Sequence, residues 1–328
     1  MSQTCPVGVF IATSTPPERI PDLAATAERL GYGEVWVAED YFCYGGFTAA
    51  ALALGATERV KVGLGIVASV ARHPAVTAME IATLARTYPG RFLPGLGHGV
   101  PFWTDQMGVT AKSPLTALTE CITAIRALLA GETVDVEGKQ FTFRNVTASH
   151  PVPGEVPILT GVLGPKSLQL SGKIADGTVM SVLAGTEYLE LAGRHIRAGM
   201  AEGCRSTHLM PTFALFSVNE DSKQARAAVR PMLAGYIAAV GAHNPLTGAY
   251  GYDEQIADLL ARSPDTLAAD LPEEWIDTLA VAGDPDEVAA RIKQLRDAGA
   301  TSVVLSPVNA DTAREEIELV AAAVLPQL

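Results

Sequence analysis

Two carboxylates, Glu39 and Asp40, stand side by side where the apolar run Glu34–Ala38 (EVWVA) ends, with Tyr41 immediately after them. Neighbouring acids raise each other's pKa when both face one site, so one can keep a proton that the other has lost. Adjacent side chains of an extended chain point to opposite faces, however. The spacing therefore favours one acid inside a pocket and one capping the next helix. A second chemical feature is His98, set between Gly97 and Gly99. The glycines let backbone approach a flat ring closely, and an imidazole exchanges its proton near neutrality. A third is the run Gly161-Val162-Leu163-Gly164-Pro165-Lys166. Free N–H groups at a helix start, with a lysine in the first turn, suit an anion such as a phosphate. The same residues also describe an ordinary strand-to-helix turn. His73, just before Pro74, reads as a helix cap or packing residue. Cys5, Cys43, Cys121 and Cys204 form no C-x-x-C pair and no zinc spacing, so reduced thiols and no metal are expected.

The elements that must carry these residues alternate. Apolar runs at 7–12, 34–38, 60–67, 91–97, 156–161, 177–182, 210–218 and 301–306 read as buried strands. Amphipathic stretches follow nearly all of them, several opened by proline and closed by glycine. Strands this apolar need both faces covered, as in a parallel sheet. Eight such units predict an α/β fold, a (β/α)8 TIM-like barrel with insertions after strand 4 and after helix 7, forming a single domain over residues 1–328. An open Rossmann-like sheet is the alternative, but no G-x-G-x-x-G follows a first strand. Residues 133–143 alternate around Glu137-Gly138 and predict a β-hairpin. His243–Leu271 reads as irregular and is expected to fold over the strand ends as a lid. In a barrel the active site is built by the loops after the strands, and Glu39–Tyr44, Val67–His73, His98–Trp103 and Gly161–Lys166 all fall there.

Composition narrows the partners. The formal net charge of −12 argues against nucleic acid or an anionic membrane, which need a basic face. The N-terminal residues show neither the basic nor the apolar region of a secretory leader, and no apolar run approaches the ~18 residues of a membrane span. A cytoplasmic protein acting on a small molecule is expected.

The stretches EVWVAEDYF (34–42), GLGIVASVARHP (63–74), GRFLPGLGHG (90–99), LTGVLGPKSLQLSGKIADG (159–177) and AVAGDPDEVAARI (280–292) resemble, in order and spacing, the luciferase-like monooxygenase family, especially its deazaflavin-dependent branch, which includes methylenetetrahydromethanopterin reductases. The resemblance spans nearly the whole chain. It implies a barrel, often a homodimer, that holds coenzyme F420 (an 8-hydroxy-5-deazaflavin) or alternatively FMN at the strand C-termini. It also implies a non-prolyl cis peptide at Gly65-Ile66, forming a bulge behind the flavin ring. Asp40, Gly65, Ile66, Val67 and Gly97 are then expected beside the cofactor ring. Gly161, Val162, Leu163, Gly164 and Lys166 are expected at its phosphate-bearing tail, and Tyr41 and His98 are the candidates for proton handling. Several relatives carry histidine where Tyr41 stands, a polar residue near Ala68, or Glu where His98 stands, so their acid–base roles and substrates do not transfer. The implied activity is hydride transfer between F420 and an organic substrate. The alternatives are an FMN-dependent monooxygenase and a flavin-binding protein without turnover.

Overall fold

The computed structural model describes residues 5–262 and 266–328. Its strands are β1 (Val7–Phe10), β2 (Glu34–Val37), β3 (Lys61–Ala68), β4 (Phe92–Gly97), β5 (Val134–Glu137), β6 (Thr142–Val146), β7 (Leu159–Gly161), β8 (Gly177–Thr178), β9 (Pro211–Val218), β10 (Ala280–Gly283) and β11 (Ser302–Pro307). Parallel pairing runs β11-β1-β2-β3-β4-β7-β8 on one side and β11-β9 on the other. Parallel bridges Gly177↔Leu209 and Met180↔Thr212 join β8 to the start of β9 and close the ring. Eight strands thus form a closed barrel, matching the eight apolar runs and excluding the open sheet. β10, too short and too close to the next helix to stand out in the sequence, pairs with the C-terminal half of β9.

The barrel interior is filled by a few large side chains set against glycine. Trp36 is fully buried. A Cβ on Gly63 of the neighbouring β3 would overlap its ring, and one on Gly8 of β1 would stand 3.3 Å from it. Phe213 meets the indole edge-on at 5.4 Å and Phe10 lies against Phe213. The indole Nε1 donates to buried Glu34 at 2.7 Å, which satisfies a polar group that burial would otherwise penalise. A wide ring on β2 therefore requires the missing side chains on both neighbouring strands, since interiors pack to crystal density.

Both insertions are present. After β4 come helices Pro101–Gln106 and Pro114–Leu129 and the antiparallel hairpin β5–β6. The Glu120 carboxylate ties that hairpin down by accepting from the N–H groups of Lys139, Gln140 and Phe141. After helix Ser222–Val240, the segment expected to be irregular is mostly helical, with Pro245–Gly248, Asp253–Arg262 and Leu267–Asp270; residues 263–265 of it lie outside the described residues. Its short helices, separated by Gly and Pro, lack the long apolar period that reveals a helix in sequence. It is fixed by stacking of Tyr250 on Tyr252 and of Tyr252 on buried Trp275. Tyr250 also packs on Gly185, at the exit of β8. Among the described residues no helix is long and apolar enough to cross a membrane.

Candidate active site

The two adjacent acids divide their work as strand alternation predicts. Glu39 is buried and accepts from the N–H of Gly46, the first residue of helix Gly46–Gly55, at 2.8 Å. Both its oxygens are also held by Arg72, at 2.5 and 2.7 Å. Arg72, in the exit of β3, is therefore a site residue the sequence reading did not single out; its position one residue before the capping His73 was the available signal. A two-point guanidinium–carboxylate pair is strong and directional, and the Glu39 hydrogen bond pushes the arginine pKa further up.

Tyr41 completes this cluster, with its hydroxyl donating to Glu39 at 3.2 Å. Burial, and after it the Glu39 carboxylate, push the phenol up to about 12. It keeps its proton near neutrality and is no general base there. Its ring meets Phe42 at 5.9 Å and Trp103 edge-on at 6.1 Å. Asp40 points elsewhere: its Oδ2 accepts from the Thr13 hydroxyl at 2.8 Å. Burial holds this carboxyl above the usual range, against the Thr13 hydrogen bond. Tyr236, on helix Ser222–Val240, is pushed up by burial and then by the nearby Asp40 carboxylate.

The end of β3 carries the bulge. The Gly65–Ile66 peptide is cis, as is Tyr41–Phe42, and the β3–β4 register shifts between Leu64 and Val67. The Ile66 side chain lies across a seat of glycines: a Cβ on Gly95, Gly97 or Gly161 would come within 2.9, 2.5 or 2.7 Å of it. Trp36, Phe213 and Val179 form the floor beneath Gly65. Val67, by contrast, packs fully in the core, so only its backbone can face the mouth.

His98 directly follows Gly97 of that seat. Its Nε2 shares a hydrogen bond of 3.0 Å with Ser167 Oγ, in the first turn of helix Pro165–Ile174. Burial lowers its pKa, so the ring is neutral at pH 7. Ser167 also went unrecognised in sequence, being one more small polar residue in a turn. The turn before this helix is held at two further points. Tyr188 donates to the Leu163 carbonyl at 2.9 Å. Thr160 donates to Ser171 at 2.6 Å, the first link of a buried chain through Thr178 to His208. Gly164, the N-cap, has open space where a side chain would stand, while Val162 is buried. Lys166 lies apart from the seat, lining a groove of about 400 Å³ with Lys173, Glu120 and Glu202. A cavity of about 490 Å³ at the opposite end of the barrel is lined by Glu34, Lys61 and Ser302. That end of a barrel carries stability rather than chemistry.

His73 is the cap it was expected to be. Its Nδ1 accepts from Ala75 N at 3.2 Å while Nε2 donates to the Thr142 carbonyl at 3.1 Å, a pattern that fixes the neutral Nε2–H tautomer. Its ring packs on Phe141 and Phe143 of the hairpin.

Comparison with known proteins follows this geometry. The chain is 29% identical over 305 residues, 90% of itself and 92% of the relative, to a 5,10-methylenetetrahydromethanopterin reductase of Methanolobus tindarius. It is 30% identical over 320 residues, 92% of itself and 90% of the relative, to an F420-dependent glucose-6-phosphate dehydrogenase of Beutenbergia cavernae. The solved coenzyme F420 dependent tetrahydromethanopterin reductase of Methanopyrus kandleri superposes with a TM-score of 0.86 at 28% identity, over 98% of this chain and 99% of that one. Residues 4–302 match the description of the luciferase-like monooxygenases. With the match and the superposition both running from the first strand to the last, the chain belongs to the luciferase-like monooxygenase family.

Proposed function

We propose that this chain is an oxidoreductase that transfers a hydride between coenzyme F420 and a small organic substrate. The observation that carries the reading is the Ile66 bulge on its seat of Gly95, Gly97 and Gly161. Two strands, β4 and β7, give up their side chains beneath Ile66 of β3 at the barrel mouth, and the result is a broad surface suited to the back of a flat ring. The relatives named F420-dependent support the choice of cofactor. When bound, F420 supplies the carbon that gives or takes the hydride, and the chain supplies position and electrostatics.

In this reading Gly65, Ile66, Gly97 and the Val67 backbone lie behind the ring, with Asp40 beside it. Gly161, Val162, Leu163 and Gly164, with the free N–H groups of helix Pro165–Ile174, hold the phosphate-bearing tail. Lys166 faces the groove into which a longer anionic tail would run. Through Ser167, His98 belongs to the tail side, as a neutral imidazole. Tyr41 serves as a fixed phenol whose proton is committed to Glu39. The chain forms one domain and acts in the cytoplasm as a homodimer. Exposed Leu52, Val76 and Met79, on the helices after β2 and β3, support pairing of two chains.

Titration of the purified protein with F420 and with FMN at one ionic strength tests this reading. F420 is expected to bind at least about tenfold tighter, a difference of ~1.4 kcal/mol. Tighter binding of FMN, with oxygen consumption on reduction, would replace it with a monooxygenase.

A further inference from the structure

The mouth of the barrel has an unusual surface. Phe42 and Phe102 are each 68% exposed, and Val100 is exposed beside them. A free phenyl ring loses about 1.5–3 kcal/mol of burial by staying in water, and here two do so, one in the exit of β2 and one in the short helix Pro101–Gln106 after β4. Tyr41 holds Phe42 on one side and Trp103 on the other through ring contacts, and Phe102 is the residue before Trp103. The Ala68 N–H lies beside the Tyr41 hydroxyl, two residues beyond the Ile66 bulge. The aromatic wall therefore rises directly from the proposed ring seat.

Charge sharpens the picture. The segments leading out of the eight barrel strands are residues 11–16, 38–45, 69–73, 98–100, 162–164, 179–185, 219–221 and 308–312. They contain one arginine and no lysine, against five carboxylates. That arginine, Arg72, already has both Glu39 oxygens and lies 3.6 Å from Glu80. On the aromatic side of this mouth a substrate phosphate would meet no uncommitted guanidinium or ammonium on these segments, because the N–H cradle at 161–164 is taken by the cofactor tail, and nearby carboxylates would repel it. Asp40, by contrast, has hydroxyl neighbours and can accept from a substrate N–H or O–H.

We infer that the substrate is an uncharged or cationic molecule with a flat apolar face, stacked on the Phe42–Tyr41–Trp103–Phe102 wall, and not a sugar phosphate. The inference rests on the F420 reading only for which side of the seat is left to the substrate. It separates this chain from its relative named for glucose 6-phosphate, although the two are 30% identical. Stacking on an aromatic pair contributes beyond plain area burial, and two exposed phenyls supply that area without disturbing the core.

The experiment uses the F420-saturated protein and two probes, 2-naphthol and glucose 6-phosphate, in equilibrium dialysis. We expect 2-naphthol to bind at least tenfold more tightly than the sugar phosphate. In a Phe42→Ser/Phe102→Ser protein its affinity is expected to fall at least fivefold, with F420 affinity within twofold of the parent. Equal or tighter binding of glucose 6-phosphate overturns the inference, and so does unchanged 2-naphthol affinity in the double variant. Failure of the cofactor reading shows separately, as absent F420 binding in the parent protein before either probe is added. The probe comparison in the parent stands even if the double variant does not fold.

Discussion

His98 Nε2 and Ser167 Oγ share a hydrogen bond of 3.0 Å that ties the exit of β4 to the first turn of helix Pro165–Ile174. This links the histidine to the anion cradle and not to the aromatic wall. Replacing either residue with alanine should loosen the helix start and remove one polar group near the tail. We expect a roughly five- to tenfold loss of F420 affinity, about one hydrogen bond. The bare deazaflavin chromophore, which lacks the phosphate, should bind as before. Because burial holds His98 below its ordinary pKa, F420 affinity should not change through this ring between pH 7 and 8. Equal losses for both ligands in fluorescence titrations would return His98 to the ring side.

The Glu39–Arg72 pair sets a stability prediction. Arg72→Ala leaves a buried carboxylate without its cation, a loss of about 3–5 kcal/mol. A Glu39→Gln/Arg72→Met double variant, with no charge left unpaired, should recover most of that loss. Urea denaturation of the three proteins measures the difference. A double variant no more stable than Arg72→Ala would mean that the pair matters through packing alone.

Glu316 supplies a pH dependence away from the mouth. It is buried, accepts from Ser217 at 2.9 Å, and burial raises its pKa to about 7. The folded state thus binds this proton more tightly than the unfolded chain does. The stabilisation is complete below the unfolded carboxylate range and is lost as pH rises through about 7. The effect is on the order of 3 kcal/mol. Wild-type stability should decline between pH 5 and 8, and Glu316→Gln should flatten that decline. Parallel curves for the two proteins in thermal melts would remove Glu316 from the account.

The fold was legible because each barrel strand is an apolar run bounded by turn residues, and eight such runs leave few alternatives. Division of labour between Glu39 and Asp40 followed from strand alternation, and the capping role of His73 from the proline behind it. Partners that depend on folding were less visible. Arg72 meets Glu39 across 33 residues of sequence, and Ser167 meets His98 across 69; no local pattern marks either. The helices after Val240 were read as irregular because each is too short to show a period. His98 stood out in sequence by its two flanking glycines and its place after the fourth strand, which fix the end of the barrel but not its partner Ser167.

Trp36 has a further consequence. Gly8 and Gly63 are bare so that one indole can occupy the space between them, so the middle of the barrel is a socket cut for a single bicyclic ring. Emptying it with Trp36→Gly should cost at least about 3–5 kcal/mol, since Glu34 also loses its donor, and leave a ring-shaped vacancy that a small molecule with a ring and one N–H can refill. Free indole added to that variant should raise its melting temperature in proportion to the logarithm of concentration, while the parent stays indifferent. A residue that now serves only as filling would then act as an input: a chain whose folding, and with it the glycine seat above, is switched on by a solute.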